Sequence, residues 1–378
     1  MPSELSAFLF RLREFITNSD EGVDPAIQGS PADPFAVLAL DLFRLQYYLN
    51  PPYQALCHAR GLKAEAIRDW RDIPAVSTAA FKEFEFSCLP EDDRVGYFES
   101  SGTTRLARSR SFHSGESLQL YEASLIPWFQ RHVVPETFRA SQTSPPAWSF
   151  LSLTPTRTEA PHSSLVHMLD MVSRQEWFTE SLFMGQRAQE GAWILNLDRT
   201  QAELRAAIRK QVPVVLAGTA FNFVHLLDAL QAENVNRRLP PGSRIMETGG
   251  YKGRSRELSR QALHVELTRT LGVRPENIIT EYGMTELGSQ AYDQVAGEAP
   301  TKRRLRFPPW ARASVVSPET GLEVAEGEAG LVRILDLANA FSVLAVETED
   351  LALRRGDGLE LIGRSLESEP RGCSLMAV

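Results

Sequence analysis

The apolar positions at the start of the chain recur at helical spacing. Leu5, Phe8, Leu9, Leu12 and Phe15 form one stripe among Arg11, Arg13 and Glu14, which predicts an amphipathic helix. A second stripe, Phe35, Leu38, Leu42, Leu45 and Leu49, predicts a helix stopped by Asn50-Pro51-Pro52. Short helices are predicted around Tyr53–Arg60 and Ala64–Trp70. From Phe98 the texture changes. Short apolar runs at Trp148–Leu153, Trp193–Leu197, Val212–Ala217 and Ile278–Glu281 predict strands. Helical patterns over Glu116–Trp128, Gln201–Lys210, Phe221–Leu230 and Glu257–Leu271 lie between them. That alternation predicts an α/β layer fold with largely parallel sheets. After about Thr301, strand candidates at Ser314–Val316, Leu331–Leu335, Ser342–Val346 and Leu359–Ile362 are separated by Gly, Pro and Asp, which predicts a small, mostly antiparallel β subdomain. The expected organisation is a helical part over 1–97, an α/β core over 98–300, a β subdomain over 301–366 and a tail over 367–378.

Composition narrows the chemistry. Forty basic against forty-eight acidic residues leave a net charge of −8, which argues against a non-specific nucleic-acid binder. Three cysteines, Cys57, Cys88 and Cys373, contain no CxxC pair, so neither a disulfide scaffold nor a cysteine zinc site is expected. The seven histidines suggest no metal set. The first residues lack the uninterrupted apolar run of a signal peptide. No uncharged stretch reaches the length of a membrane span, so a cytoplasmic protein is the expectation.

Four segments carry candidate chemistry. Phe98-Glu99-Ser100-Ser101-Gly102-Thr103-Thr104 can wrap a phosphate with backbone N–H groups and hydroxyls, or be an ordinary surface turn. It is not a GxxxxGK[ST] loop, and none occurs in the chain. Glu247-Thr248-Gly249-Gly250-Tyr251-Lys252-Gly253-Arg254 follows a strand candidate and precedes a helix; its glycines allow close approach of a flat ligand, or make a plain strand-to-helix turn. Glu281-Tyr282-Gly283-Met284-Thr285-Glu286 lies at a strand's carboxyl end, where open α/β sheets bind ligands. A hydroxyl beside a carboxylate there suits a phosphate with Mg²⁺, or Glu286 is a solvated helix-start residue. Last come Glu347-Thr348-Glu349-Asp350, Gly356-Asp357-Gly358 and Gly363-Arg364: a carboxylate and an arginine suited to a ribose, or two hairpin turns.

In this order the segments resemble the adenylate-forming superfamily of acyl-CoA synthetases, firefly-type luciferases and peptide-synthetase adenylation domains. The resemblance spans roughly Phe98 to Arg364. Glu349 stands where the family has Gly, and Arg105-Leu106-Ala107-Arg108 stands where the phosphate loop usually continues Pro-Lys-Gly, leaving Arg105 or Arg108 as the cation there. The resemblance also implies a mobile C-terminal lid carrying a catalytic lysine. Only fourteen residues follow Arg364, so the lid is expected to be missing, and Lys252 is the candidate substitute.

The end of the chain, Arg371-Gly372-Cys373-Ser374-Leu375, resembles that of the acyl-protein synthetases of bacterial bioluminescence. That resemblance implies an ATP- and Mg²⁺-dependent ligase that activates a fatty acid as acyl-AMP. The acyl group then moves to Cys373 and on to a partner such as an acyl reductase. It implies that Tyr282, Gly283, Gly249 and Gly250 frame the adenine. Ser100, Ser101, Gly102, Thr103, Thr104 and Thr285 would hold phosphates, Glu286 the Mg²⁺, and Asp350 with Arg364 the ribose. His162, in Ala160-Pro161-His162-Ser163-Ser164, and Gly218, in the Leu216–Phe223 stretch, would line the acyl pocket. His167 reads as structural or pocket-lining, and Cys57 and Cys88 as buried core thiols. Two rival readings stand beside this one. A ligase delivering to coenzyme A, a carrier-protein thiol or an amine would not need Cys373, and a non-catalytic nucleotide-binding subunit would not need turnover.

Overall fold

Asn50 decides how the N-terminal third folds. In the computed structural model, which describes residues 3–19, 33–100, 108–138, 148–187, 193–249, 258–299 and 303–364, Asn50 ends one helix and begins the next. Helix α1 (Ser3–Asn18) precedes α2 (Pro34–Leu49), and the Asn50 side chain accepts from Tyr53 N–H to cap α3 (Pro51–Ala59). The predicted Ala64–Trp70 helix is instead two 3₁₀ turns, Ala64–Ala66 and Trp70–Asp72. Ile67 leaves the helical region between them because its side chain is drawn into the core.

The chain then runs through β1 (Val76–Ser77), the hairpin β2 (Gly96–Glu99) and β3 (Arg110–His113), and α4 (Gly115–Val133). Helix α4 passes through Pro127 and outlasts its predicted end, because His132 and Val133 are still buried. Next come β4 (Trp148–Ser152), α5 (Ser164–Ser173), β5 (Phe178–Phe183), β6 (Gly185–Arg187), β7 (Trp193–Leu195) and α6 (Leu197–Lys210). They are followed by β8 (Val214–Thr219), α7 (Ala220–Ala232), β9 (Arg244–Thr248), α8 (Arg260–Leu271), β10 (Ile278–Tyr282) and β11 (Ala291–Tyr292). A six-stranded sheet has the order β11-β10-β9-β8-β4-β5 and is parallel except for β11. Its inner strands β4, β8 and β9 are buried along their whole length, as parallel strands between helices require, while the edge strand β5 is only partly covered. Residues of α6, α7 and α8 pack one face, around Leu216, Ile245 and Ile278. Residues of α4 and α5 pack the other, around Phe150, Met246 and Ile279.

The last strands are β12 (Ala311–Val316), β13 (Ala329–Asp336), β14 (Ala345–Arg355) and β15 (Gly358–Arg364). They pair antiparallel, and β1 adds to β14 in parallel. The predicted strand at Ser342–Val346 starts only at Ala345, because Ser342 N–H closes a turn onto Asn339. Residues of α1, α2 and α3 share one core with this sheet, joining Phe8, Phe43 and Tyr53 to Val332, Leu344 and Val346. No helix among the described residues is long and apolar enough to cross a membrane.

One carboxylate joins the two sheets. Asp336, fully buried at the end of β13, accepts hydrogen bonds from the N–H groups of Gly288, Ser289 and Ala338 and from Ser289 Oγ. Burial pushes its carboxyl up to about 6 against the pull of those donors. Asp336→Ala, which strands buried donors, is expected to cost about 3 kcal/mol in urea unfolding. A carboxyl raised in the folded state favours folding when protonated, so its contribution declines as pH rises from about 4 to 6. Wild type should therefore lose more stability over that interval than Asp336→Asn, which does not titrate. Equal changes would show that the carboxyl stays ionised in the folded chain.

Candidate active site

Strand β10 leaves its sheet at Tyr282, and the turn that follows is crowded. A Cβ at Gly283 would lie 2.5 Å from Glu281 Oε1, and one at Gly288 would lie 2.9 Å from the Ala338 carbonyl carbon. At Gly288 the neighbour is backbone and only glycine fits, while at Gly283 a side chain would have to push the Glu281 carboxylate aside. Between them Thr285 and Glu286 are buried, Glu286 to 2% exposure. Glu286 Oε1 accepts from Ser109 Oγ at 2.6 Å. Ser109 N–H in turn donates to Ser100 Oγ at 3.1 Å, and Ser100 N–H donates to Ser109 O at 3.0 Å. Ser100 and Ser109 thus close the β2–β3 hairpin immediately outside the Glu99↔Arg110 pair. The connection they bracket includes Ser101, Gly102, Thr103 and Thr104, which lie outside the described residues. The carboxylate of one sequence segment is therefore fastened to the base of another, 177 positions away.

The same strand end meets β14. Tyr282 OH donates to Asp350 Oδ2 at 2.8 Å, and Asp350 stands opposite Arg364 in the β14–β15 register. Glu347–Asp350 is strand rather than turn. The hairpin turn is at Gly356-Asp357-Gly358, where Gly356 takes a φ of +56° and Asp357 pairs with Arg306 at 2.8 Å. The Tyr282–Asp350 pair puts an aromatic face and a carboxylate side by side, a combination suited to a base and its sugar hydroxyls.

His162 docks against the hairpin. Its ring stacks on Tyr97 with centroids 4.1 Å apart, its Nδ1 lies 3.1 Å from Tyr97 O, and its carbonyl accepts from Glu99 N–H. Gly218 lies inside β8, where a Cβ would meet Leu153 at 2.8 Å, so packing alone requires glycine there. Gly249 follows β9, and a Cβ there would meet none of the described residues within 4 Å. Arg108 pairs with Glu99 at 2.8 Å, and Arg110 joins the same carboxylate. Arg105, Gly250, Lys252 and Cys373 lie outside the described residues. Of the other cysteines, Cys57 is buried and Cys88 is partly buried, and desolvation pushes their thiols up to about 11 and about 12. Neither is a ready nucleophile near neutral pH.

Sequence reasoning missed Ser109, Asp336 and Asn339, and it gave no role to Glu281, which opens the third candidate segment. Asn339 Nδ2 donates to Glu286 O while its Oδ1 accepts from Gly288 N–H, so it holds the turn from the side. Glu281 is buried on β10 and is pushed up to about 7 by desolvation, with Thr248 hydrogen-bonding it and Glu247 repelling it. Ser109 carried a faint signal in the alternation of Ser109-Arg110-Ser111-Phe112. The partners of Asp336 and Asn339 on the β10 turn lie about fifty positions away and leave no local signature.

The folds of known ligases are similar. A 2-hydroxyisobutyryl-CoA ligase, in complex with 2-HIB-AMP and CoA in an open conformation, aligns with TM-score 0.64 and 12% identity over 89% of this chain and 71% of that one. The same enzyme in its thioesterification state aligns with TM-score 0.65 over 91% and 73%. These likenesses show that this chain shares the layered fold of that ligase. Among sequences, the long-chain-fatty-acid–luciferin-component ligase of Vibrio harveyi is 22% identical over 347 residues, covering 88% of this chain and 84% of that protein. The protein of that name from Aliivibrio fischeri is 22% identical over 351 residues, covering 89% and 86%. The model of the LuxE acyl-protein synthetases matches residues 32–377, nearly the whole length, and the chain belongs to that family of ligases.

Proposed function

We propose that the chain activates a carboxylic acid with ATP as acyl-AMP and then carries the acyl group on Cys373 to a partner. The observation that supports this best is the convergence of Ser100, Glu286, Tyr282 and Asp350 at the end of β10. A fatty acid is the class named for the two curated relatives. In the first step a carboxylate oxygen attacks the α-phosphorus, and the bond to pyrophosphate breaks. The hydroxyls and N–H groups of Ser100, Ser101, Gly102, Thr103, Thr104 and Thr285 hold the phosphates, and Lys252 supplies a cation. Glu286, buried and oriented by Ser109, offers the hard carboxylate oxygen that Mg²⁺ accepts. The ion, when bound, would neutralise phosphate charge. Tyr282, Gly249 and Gly250 flank the base, and Asp350 with Arg364 takes the ribose. His162 and the β8 stretch around Gly218 face the acid. In the second step the Cys373 thiolate attacks the acyl carbon and AMP leaves; the thioester then passes to an acceptor such as an acyl reductase.

Because acyl-AMP formation is reversible, the chain should catalyse acid-dependent exchange of labelled pyrophosphate into ATP. A broad acid panel with no exchange, tested with and without candidate partner proteins, would remove the adenylation step. Glu286→Gln keeps the shape but removes the charge that holds a cation, so half-maximal exchange should move to at least tenfold higher magnesium. A magnesium titration superimposable on wild type would leave Glu286 a structural acceptor for Ser109.

Cys373→Ser should separate the two steps. A hydroxyl gives no appreciable nucleophilic anion near neutrality without a dedicated base, whereas an ordinary cysteine is about 3% thiolate. Exchange should persist, while the covalent acyl label, released from wild type by neutral hydroxylamine, disappears. Cys57→Ser and Cys88→Ser should keep it. A hydroxylamine-sensitive label that survives in Cys373→Ser would point to another acceptor.

A further inference from the structure

An open groove runs along one face of α8. Arg260, His264, Val265, Thr268 and Arg269 form one wall, and their spacing puts all five on the same side of the helix. The facing wall holds Arg303 and Arg304 from the connection before β12, with Arg355 and Glu360 from the β14–β15 hairpin. The space between the walls is about 750 Å³. Among the described residues, none of those assigned to adenylation lines it. Five arginines therefore gather with a single glutamate in a chain whose net charge is −8.

The five arginines are not equivalent. Arg303 pairs with Asp293 at 2.9 Å and donates to the carbonyls of Pro275 and Ile278. Arg304 reaches Asp357 at 3.3 Å, and Arg355 reaches Glu360 at 2.9 Å. Arg260 and Arg269 have no such partner among the described residues. They stand nine positions apart on α8, about 14 Å along its axis. Val265 lies between them and is 61% exposed. One phosphate cannot touch both arginines at that separation. A nucleic-acid backbone would meet both, but it has no use for the valine and is repelled by Glu360. An acidic helix with apolar residues among its carboxylates matches the pattern. Carboxylates about two and a half turns apart meet the two arginines, and an apolar side chain between them covers Val265.

We infer that the groove docks an acidic helix, carrying apolar residues among its carboxylates, of the protein that takes the acyl group. This rests on the reading that Cys373 hands that group on, and it adds the surface and the chemistry of the partner. Charge complementarity is the first support, since the two unpaired arginines call for carboxylates and the rest of the chain is acidic. Position is the second. β15 carries Glu360 into the groove and ends at Arg364, four residues or about 13 Å further on. Cys373 follows nine positions later, at most about 30 Å of chain, so a partner held in the groove is within reach of its thioester. Docking steered by charge in this way weakens as salt is raised.

The test uses the full chain and two fluorescein-labelled helical peptides of about fifteen residues ending in cysteine. One is built of Glu and Leu, and the other has Gln for every Glu. By fluorescence anisotropy the acidic peptide should bind at least about tenfold tighter, and that preference should vanish between about 0.05 and 0.5 M salt. Arg260→Glu with Arg269→Glu should abolish the preference. Arg68→Glu with Arg209→Glu, the same change of charge on exposed arginines elsewhere, should keep it. Pyrophosphate exchange should be unchanged in both double variants. In the chain labelled at Cys373, the peptide thiolate attacks the thioester carbon and the Cys373 thiolate leaves. The label should pass to the acidic peptide at least about tenfold faster than to the Gln peptide. Equal binding of the two peptides, equal loss in the two double variants, or tighter binding of a single-stranded RNA of similar length would overturn the docking groove. Preferential binding without faster transfer would overturn the assignment of its occupant as the acyl acceptor. A wild-type chain that exchanges pyrophosphate but never carries label on Cys373 would overturn the transfer reading, and the anisotropy would still decide the groove.

Discussion

The site depends on a buried polar spine that ties the N-terminal helices to the end of β10. Gln46 on α2 donates to Asn339 O and accepts from Leu344 N–H, so it grips both ends of the loop between β13 and β14. Asn50 adds a bond to Ser342 O. Within that loop and at its start, Asn339 and Asp336 hold Gly288, Ser289 and the Glu286 carbonyl. Glu286 then reaches Ser109, and Ser109 reaches Ser100. Every link is buried, where the bonds are strong and a broken one leaves a costly orphan. The hydrophobic clusters hold the layers together. They are non-directional and cannot set where a carboxylate points. The spine can, and it holds the turn on both sides of Gly288, where backbone approaches too closely for a side chain.

That arrangement also accounts for the division of the chain. The sequence suggests a helical unit, a core and a β subdomain in succession. In three dimensions the first and last share a core, and β1 is a strand of the last sheet. The candidate site lies where that shared body meets the six-stranded sheet: Asp350 belongs to one and Tyr282 to the other. A ligand spanning Glu286, Tyr282 and Asp350 would touch both, so binding there would add to the cohesion that Asp336 already supplies.

Much of this was legible in the residues because the signals are local. Alternating strand and helix periods marked the parallel sheet, and the stripe of Phe35, Leu38 and Leu42 marked α2. Tyr282-Gly283-Met284-Thr285-Glu286 marked a strand end. The resemblance assigned Asp350 and Arg364 to one ligand group, and the two residues stand opposite each other in adjacent strands. What could not be read depends on distance along the chain. Short strands such as β1 and β11 carry too few residues for a period. Ser109, Asn339 and Asp336 act through partners far away in sequence. Ala64–Trp70 is rich in helix formers, yet burying Ile67 outweighs a propensity worth a few tenths of a kcal/mol per residue.

One further sign of the site is written in the strands themselves. A strand buried on both faces of a parallel sheet ordinarily stays apolar throughout. β9 reads Arg-Ile-Met-Glu-Thr and β10 reads Ile-Ile-Thr-Glu-Tyr, so both end in polar residues, all of them buried except the partly covered Tyr282. Alternation sends those residues to both faces. Glu247 and Thr280 bond each other on the α8 side, where His264 joins them, and Thr248 and Glu281 bond each other on the α4/α5 side. The α8 side is closed, since the donors and acceptors named there meet one another. On the α4/α5 side the Tyr292 hydroxyl and both His167 ring nitrogens have no hydrogen-bond partner among the described residues. Folding alone would favour apolar residues at both places. Two buried carboxylates at neighbouring strand ends cost stability unless they are hydrogen-bonded, and they stand at the carboxyl edge of the parallel sheet, where open α/β sheets receive ligands.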